Sequence, residues 1–278
     1  MAIGAPAVAT RSVPWLAVAA LVVAVASGML FFLFGGAPPA YAALNGSALL
    51  LGLLIVVAVP ARPMTSLATT SLVLLGVACI AATLVSGFDL EGVRRWLPIG
   101  PVRLHAAMLF LPAIAVLMAR LPEPGQLAPV IALAVVVAIQ PDFAAALALA
   151  AGFAFSRSSR GNYLATGLGI TVSALAIANS LLRPDPLGPV HFVEQVVPDA
   201  FAASPTLGIL IGGALLFACA APLLARTGDP RPARALAGVM AGFTLASLIG
   251  AYPVPLAGYG PSPILGYALA LVLLRMPL

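Results

Sequence analysis

The chain of 278 residues is 62% hydrophobic and 8% charged, with a mean hydropathy of +1.14 and a formal net charge of +5. These values exclude a soluble domain, and continuous rather than alternating apolar runs argue against a barrel, leaving an all-α, polytopic transmembrane bundle. All 13 basic residues are arginine, so the positive balance reads as a topology signal on cytoplasmic loops, with no nucleic-acid partner.

In chain order, apolar runs fall at 13–34, 41–60, 66–87, 104–119, 127–139, 142–156, 163–182, 206–225, 235–251 and 262–277. Most are long enough to cross ~30 Å of hydrocarbon. Arg11 precedes the first run without a small-residue cleavage site, so this run is read as a span, not a removable signal. The fifth and sixth runs are short. Joined as one helix they would measure ~45 Å, with Gln140-Pro141-Asp142 at the centre. An unpaired aspartate there costs ~2.5–3.5 kcal/mol, and the proline breaks the hydrogen-bond ladder. Two short helices meeting at a polar turn fit better, which predicts about ten spans in a single integral membrane domain over 1–278. Asp142, ahead of an apolar run, also suits a helix N-cap.

With ten spans and both termini cytoplasmic, Arg11, Arg62, Arg120, Arg157, Arg160, Arg226, Arg231, Arg234 and Arg275 lie inside. Only Arg94, Arg95, Arg103 and Arg183 lie outside. Nine spans with an external N-terminus split the arginines as well, and the length of 127–156 decides for ten. Six carboxylates, Asp89, Glu91, Asp142, Asp185, Glu194 and Asp199, then face outward. Cys79 and Cys219 lie within apolar runs and read as small core residues. Gly208-xxx-Gly212 reads as helix packing.

The most polar stretch is Arg183 to Phe201, with Asp185, His191, Glu194 and Asp199 among Pro184, Pro186, Pro189 and Pro198. Its prolines predict a structured loop rather than a span, the kind of place where membrane proteins hold chemistry. A solvated connector is the other reading. His105 and His191 are not spaced for a metal site. Arg94 and Arg95 beside Trp96 suit either a phosphate clamp or an interfacial anchor.

Four stretches in order, Gly92-Val-Arg-Arg-Trp96, Gln140-Pro-Asp142, Asp185 through Glu194 to Asp199, and Pro255-Leu-Ala-Gly-Tyr259-Gly-Pro-Ser262, together resemble the SEDS family (shape, elongation, division and sporulation; FtsW/RodA/SpoVE-like). The resemblance covers most of the chain from Asp89 onward. It implies ten spans in the bacterial inner membrane and polymerisation of the glycan of lipid II, an undecaprenyl-pyrophosphate-linked disaccharide, beside a class B penicillin-binding protein. It implies Asp199 as the catalytic base. Arg94, Arg95, Trp96, Asp142, Asp185, Glu194 and Tyr259 would then bind substrate, with cationic or divalent-metal help for the pyrophosphate. The chain departs from the family pattern at Met108 and Leu111, where a glutamate and a lysine are usual, and Glu194 to Asp199 is one residue longer than usual. A non-catalytic scaffold for the penicillin-binding protein and a lipid-linked precursor transporter therefore stay open beside the glycosyltransferase.

Overall fold

The computed structural model describes residues 12–85, 88–157, 161–183, 185–225 and 228–276. Arg11, Ser158, Ser159, Arg160, Pro184 and Arg226 lie outside these residues.

Helices α1 (Trp15–Phe34), α2 (Pro39–Ala58) and α3 (Ser66–Ala82) lead into a small hairpin of β1 (Trp96–Ile99) and β2 (Val102–His105). Then follow α4 (Ala106–Met118), α5 (Glu123–Ile139), α6 (Phe143–Phe155) and α7 (Tyr163–Leu182). A short α8 (Val196–Ala203) precedes α9 (Pro205–Ala220), which runs on as a 3-10 turn to Leu224, then α10 (Arg231–Ile249) and α11 (Pro261–Arg275). Among the described residues ten apolar helices stand where the ten spans are expected. Five of them, α1, α2, α7, α9 with its 3-10 turn, and α10, are long and apolar enough to cross a membrane; α3, α4, α5, α6 and α11 are shorter. The break at Gln140-Pro141-Asp142 is real: α5 ends at Ile139 and α6 starts at Phe143.

Cross-chain polar contacts gather at the two ends of the bundle. At one end Gln140 donates to Thr83, Arg95 pairs with Asp185, and the His105 N–H donates to Ser262. At the other, Arg120 donates to the Leu273 carbonyl, Arg275 to the Val59 carbonyl and Arg157 to Gln126. α1 begins and α11 ends at this second end, as an even number of crossings requires.

α10 packs on α6, α4 on α11 and α5 on α7. In lipid such contacts depend on close approach rather than on the hydrophobic effect. Gly238 and Gly242 of α10 supply it: a Cβ at either would sit 2.5 Å from the α6 backbone, at Ala151 or Ala148. Gly208-xxx-Gly212 is used by half. Gly208 lies under the Phe201 ring of α8, where a Cβ would come within 2.3 Å, whereas nothing approaches Gly212 within 4 Å.

Two local elements differ from the sequence reading. The fourth apolar run begins as a hairpin, closed by Gly100 at φ +57 between Ile99 and Val102; glycine at the first turn position is the chemistry of a two-residue hairpin. The loop after Arg183 contains α8, because Pro198 falls in the helix's first turn, where its missing N–H costs nothing.

Candidate functional site at one end of the bundle

Backbone alternation sends neighbouring arginines apart. Val93 and Arg95 point inward and Arg94 outward. Arg95 is 4% exposed. Its Nη1 donates to Asp185 Oδ2 at 2.5 Å, its Nη2 to the Pro141 carbonyl at 2.9 Å, and its Nε to the Gln140 carbonyl at 3.4 Å. The guanidinium thus ties the α5–α6 turn to the loop after α7. Arg94 instead pairs with Asp89 at 2.9 Å and donates to the Leu84 carbonyl at 3.0 Å. The Arg94 guanidinium holds the Asp89 carboxyl below its ordinary range. Arg94 lines an open cavity of about 290 Å³ with Leu84, Gly92, Ile139 and Gln140.

Asp142 caps α6, its Oδ1 accepting the Ala145 N–H at 2.9 Å. Its Oδ2 is buried with no hydrogen bond and faces His105 Nε2 at 3.5 Å. His105 in turn caps α4, its Nδ1 accepting the Met108 N–H at 3.4 Å, while Trp96 stands edge-on to its ring with centroids 6.1 Å apart. One polar turn therefore joins the ends of α3, α4, α5, α6 and α11.

The second half of the site is more open. Asp199 lies in the first turn of α8, and its Oδ2 is 3.2 Å from His191 Nδ1; the two side chains are 33% and 62% exposed. The His191 ring rests on Phe192, with centroids 3.9 Å apart. Glu194 Oε2 accepts the Val190 N–H at 2.5 Å, and burial, with Asp185 adding to it, pushes its carboxyl up to about 7. This loop is sewn to the turn before α11: the Val254 N–H donates to the Val193 carbonyl at 2.9 Å, and the Tyr259 N–H to the Phe192 carbonyl at 2.7 Å. Phe192 and Leu256 take left-handed φ values of 66° and 65° along this seam, at ~1–2 kcal/mol each. Asn45 of α2 clasps the turn, donating to the Gly258 carbonyl at 2.9 Å and accepting the Gly260 N–H at 3.0 Å. Tyr259 stacks on Tyr41 with centroids 3.7 Å apart.

The site residues expected from sequence thus divide in two. Arg95, Trp96, Asp142 and Asp185 belong to the buried latch. Glu194, Asp199 and Tyr259 belong to the open loop and turn, and Arg94 stands apart on Asp89. The side-by-side arginine clamp does not form. Sequence reasoning weighed His105 only as a metal ligand and passed over Asn45, which had a signal, a lone amide inside an apolar span. Met108 and Leu111 are buried apolar residues, each 2% exposed. Among the described residues no three His, Cys, Asp or Glu side chains are grouped to hold a metal ion. Asp199 with His191 supplies two ligands, so the residues do not fit a protein-held cation.

No protein-family model matches the sequence, and neither does any curated protein. Solved structures do. The rod shape determining protein RodA of Thermus thermophilus superimposes with a TM-score of 0.66 at 21% identity, over 97% of each chain. An aspartate-to-alanine mutant of it gives 0.67 at 23%, over 96% of this chain and 97% of that one. The chain has the RodA fold. A chain from the structural coordination of polymerization and crosslinking by a peptidoglycan synthase complex shares it, with a TM-score of 0.62 at 21% identity over 96% of this chain and 97% of that one.

Proposed function

We propose that the protein is a SEDS-like peptidoglycan glycosyltransferase of the bacterial inner membrane, in cell division or cell-shape maintenance. It would polymerise lipid II glycan at the outer face, beside a class B penicillin-binding protein. The observation that carries this reading is an open pair of Asp199, on α8, with His191, in the loop before it, within a RodA fold. The arginine excess at the opposite end of the bundle supports an outward-facing site and cytoplasmic termini.

In this reading the acceptor sugar hydroxyl attacks the anomeric carbon of a second lipid II. A new glycosidic bond forms and undecaprenyl pyrophosphate leaves. Asp199 takes the hydroxyl proton, with the His191 ring 3.2 Å from its carboxylate. Arg94, beside its cavity, offers the cation for the pyrophosphate. Arg95, Asp142 and Asp185 keep the floor of the site in place, and Glu194 and Tyr259 fix the loop that carries Asp199.

A second reading is a scaffold for the penicillin-binding protein, without catalysis. The apolar burial of Met108 and Leu111 favours it. The discriminating experiment is lipid II polymerisation by purified protein and by Asp199→Asn, with lipid II binding measured alongside. Loss of polymerisation by orders of magnitude with binding retained is the expected result. Equal inactivity of both proteins, with both still supporting growth, would leave the scaffold.

A further inference from the structure

At the end of the bundle opposite the site, α1 begins, α11 ends, and the 3-10 turn after α9 lies against both. Between the three is a cavity of about 190 Å³. Among the described residues its lining carries a single ionisable side chain, Arg275, in the last turn of α11. This guanidinium is withdrawn from water, with Arg275 only 7% exposed. Its Nη2 donates to the Val59 carbonyl, and its buried Nε has no hydrogen-bond partner. Among the described residues Arg275 makes no ion pair.

A carbonyl accepts a hydrogen bond without cancelling the charge. Buried charges are normally paired as well as hydrogen-bonded, so Arg275 lacks an anion, and the cavity it lines has room for one. An arginine at a helix C-terminus also complements the helix dipole. That role needs only the charge; it requires neither burial nor a cavity.

The surroundings describe what carries the anion. The first turn of α1 has N–H groups without intrahelical acceptors, and Ser12 adds a hydroxyl to the same lining. The more exposed part of the lining is apolar: Trp15 is 61% exposed, Leu16 53% and Leu224 62%. A tryptophan at the start of a span marks the level of the lipid headgroups. The buried side of the cavity thus suits an anion, and its exposed side suits hydrocarbon.

We infer that this cavity binds a phosphate group, with Arg275 as its principal donor. A planar guanidinium suits phosphate oxygens. An anionic phospholipid headgroup and free phosphate both offer this chemistry, and the apolar exposed side favours the lipid.

The test uses the full chain purified in detergent, with retention of added phosphatidylglycerol and phosphatidylcholine read by native mass spectrometry. Wild type is expected to retain phosphatidylglycerol preferentially. Arg275→Gln should lower that retention about tenfold, the worth of one charge-assisted bond. Because Arg275 also holds the Val59 carbonyl, a second variant leaves it in place. Ala225→Glu, at a half-buried position in the lining, supplies a carboxylate of the protein's own and should lower retention as far. Arg62→Gln, an exposed arginine in the loop between α2 and α3, should leave retention unchanged. Inorganic phosphate that displaces the lipid marks free phosphate as a ligand, and phosphate that does not marks the headgroup. A wild type without preference overturns the inference, as does undiminished retention in either cavity variant. An equal loss in Arg62→Gln also overturns it, since that would signify general attraction between charges.

Discussion

A guanidinium withdrawn from water is tolerable only while its donors have acceptors, and Arg95 spends its donors on Asp185 and on the two carbonyls of the Gln140-Pro141 turn. Removing it leaves Asp185 mostly buried without a counter-charge, a loss of about 3–5 kcal/mol. Arg94 holds a surface pair with Asp89, worth up to about 1 kcal/mol. Arg95→Gln should therefore lower the thermal midpoint in detergent sharply. Arg94→Gln should hardly move it, yet should weaken lipid II binding under the proposed function. Equal midpoints for the two variants would contradict the latch. Adjacency in sequence suggested one clamp made of both arginines. The alternation of extended backbone, which decides the matter, is readable only once the segment is known to be extended. Asp142 was more legible: an aspartate ahead of an apolar run has a local partner, the N–H of Ala145, whatever the tertiary fold.

Among elements, the loop from Val190 to Gln195 and the turn from Val254 to Gly260 behave as one piece, since each donates to or accepts from the other across Phe192 and Val193. Glu194 braces the loop through the Val190 N–H, and its carboxyl is raised from 4.5 to about 7 by burial. An acid raised on folding binds its proton more tightly in the folded state. Its contribution to stability is therefore fully present below pH 4.5 and is lost as pH rises toward 7. Hydrogen exchange at 190–195, corrected for the intrinsic pH dependence, should show less protection at pH 8 than at pH 5. Glu194→Gln, which keeps the acceptor oxygen, should flatten the difference; an unaltered pH dependence in that variant would assign it to another group. None of this seam was legible in sequence. It is made by backbone groups of residues about 60 positions apart, and side-chain patterns carry no mark of such pairing. The hairpin escaped for a related reason: Val102 and Leu104 continue the apolar run of α4, and the only warning was Gly100.

For the whole molecule, the count of spans was legible because hydrocarbon thickness sets a length that apolar runs must meet, and because Pro141 and Asp142 cannot sit in the middle of one helix. The single-domain reading of 1–278 rested on the same runs. What composition left open was which residues converge. With ten crossings, Val190 and Arg62 lie at opposite ends of the bundle. Cysteine substitutions there should label from opposite sides, Val190→Cys from the periplasmic side and Arg62→Cys from the cytoplasmic side. Reversed labelling would invert the orientation, and labelling of both from one side would end the ten-span description.

The central helices are also short. α4 and α6 have 13 residues each and α11 has 15, about 20–23 Å at 1.5 Å per residue against ~30 Å of hydrocarbon. Arg120, Arg157 and Arg275 fix their far ends at one interface, so the whole deficit falls beneath the hairpin, α8 and the Pro255 turn. Most of α4, α6 and α11 is buried inside the bundle, and the outer helices α1, α2 and α7 have 20 residues each, about 30 Å, so the shortfall is a recess within the protein rather than a thinning of the bilayer. Under the proposed function a lipid-borne sugar entering that recess would meet Asp199 while its isoprenoid chain stays level with the hydrocarbon around the outer helices. Reconstitution in lipids of increasing acyl length should then leave polymerisation unchanged; a rate that falls with acyl length would mean that the bilayer itself thins over the recess.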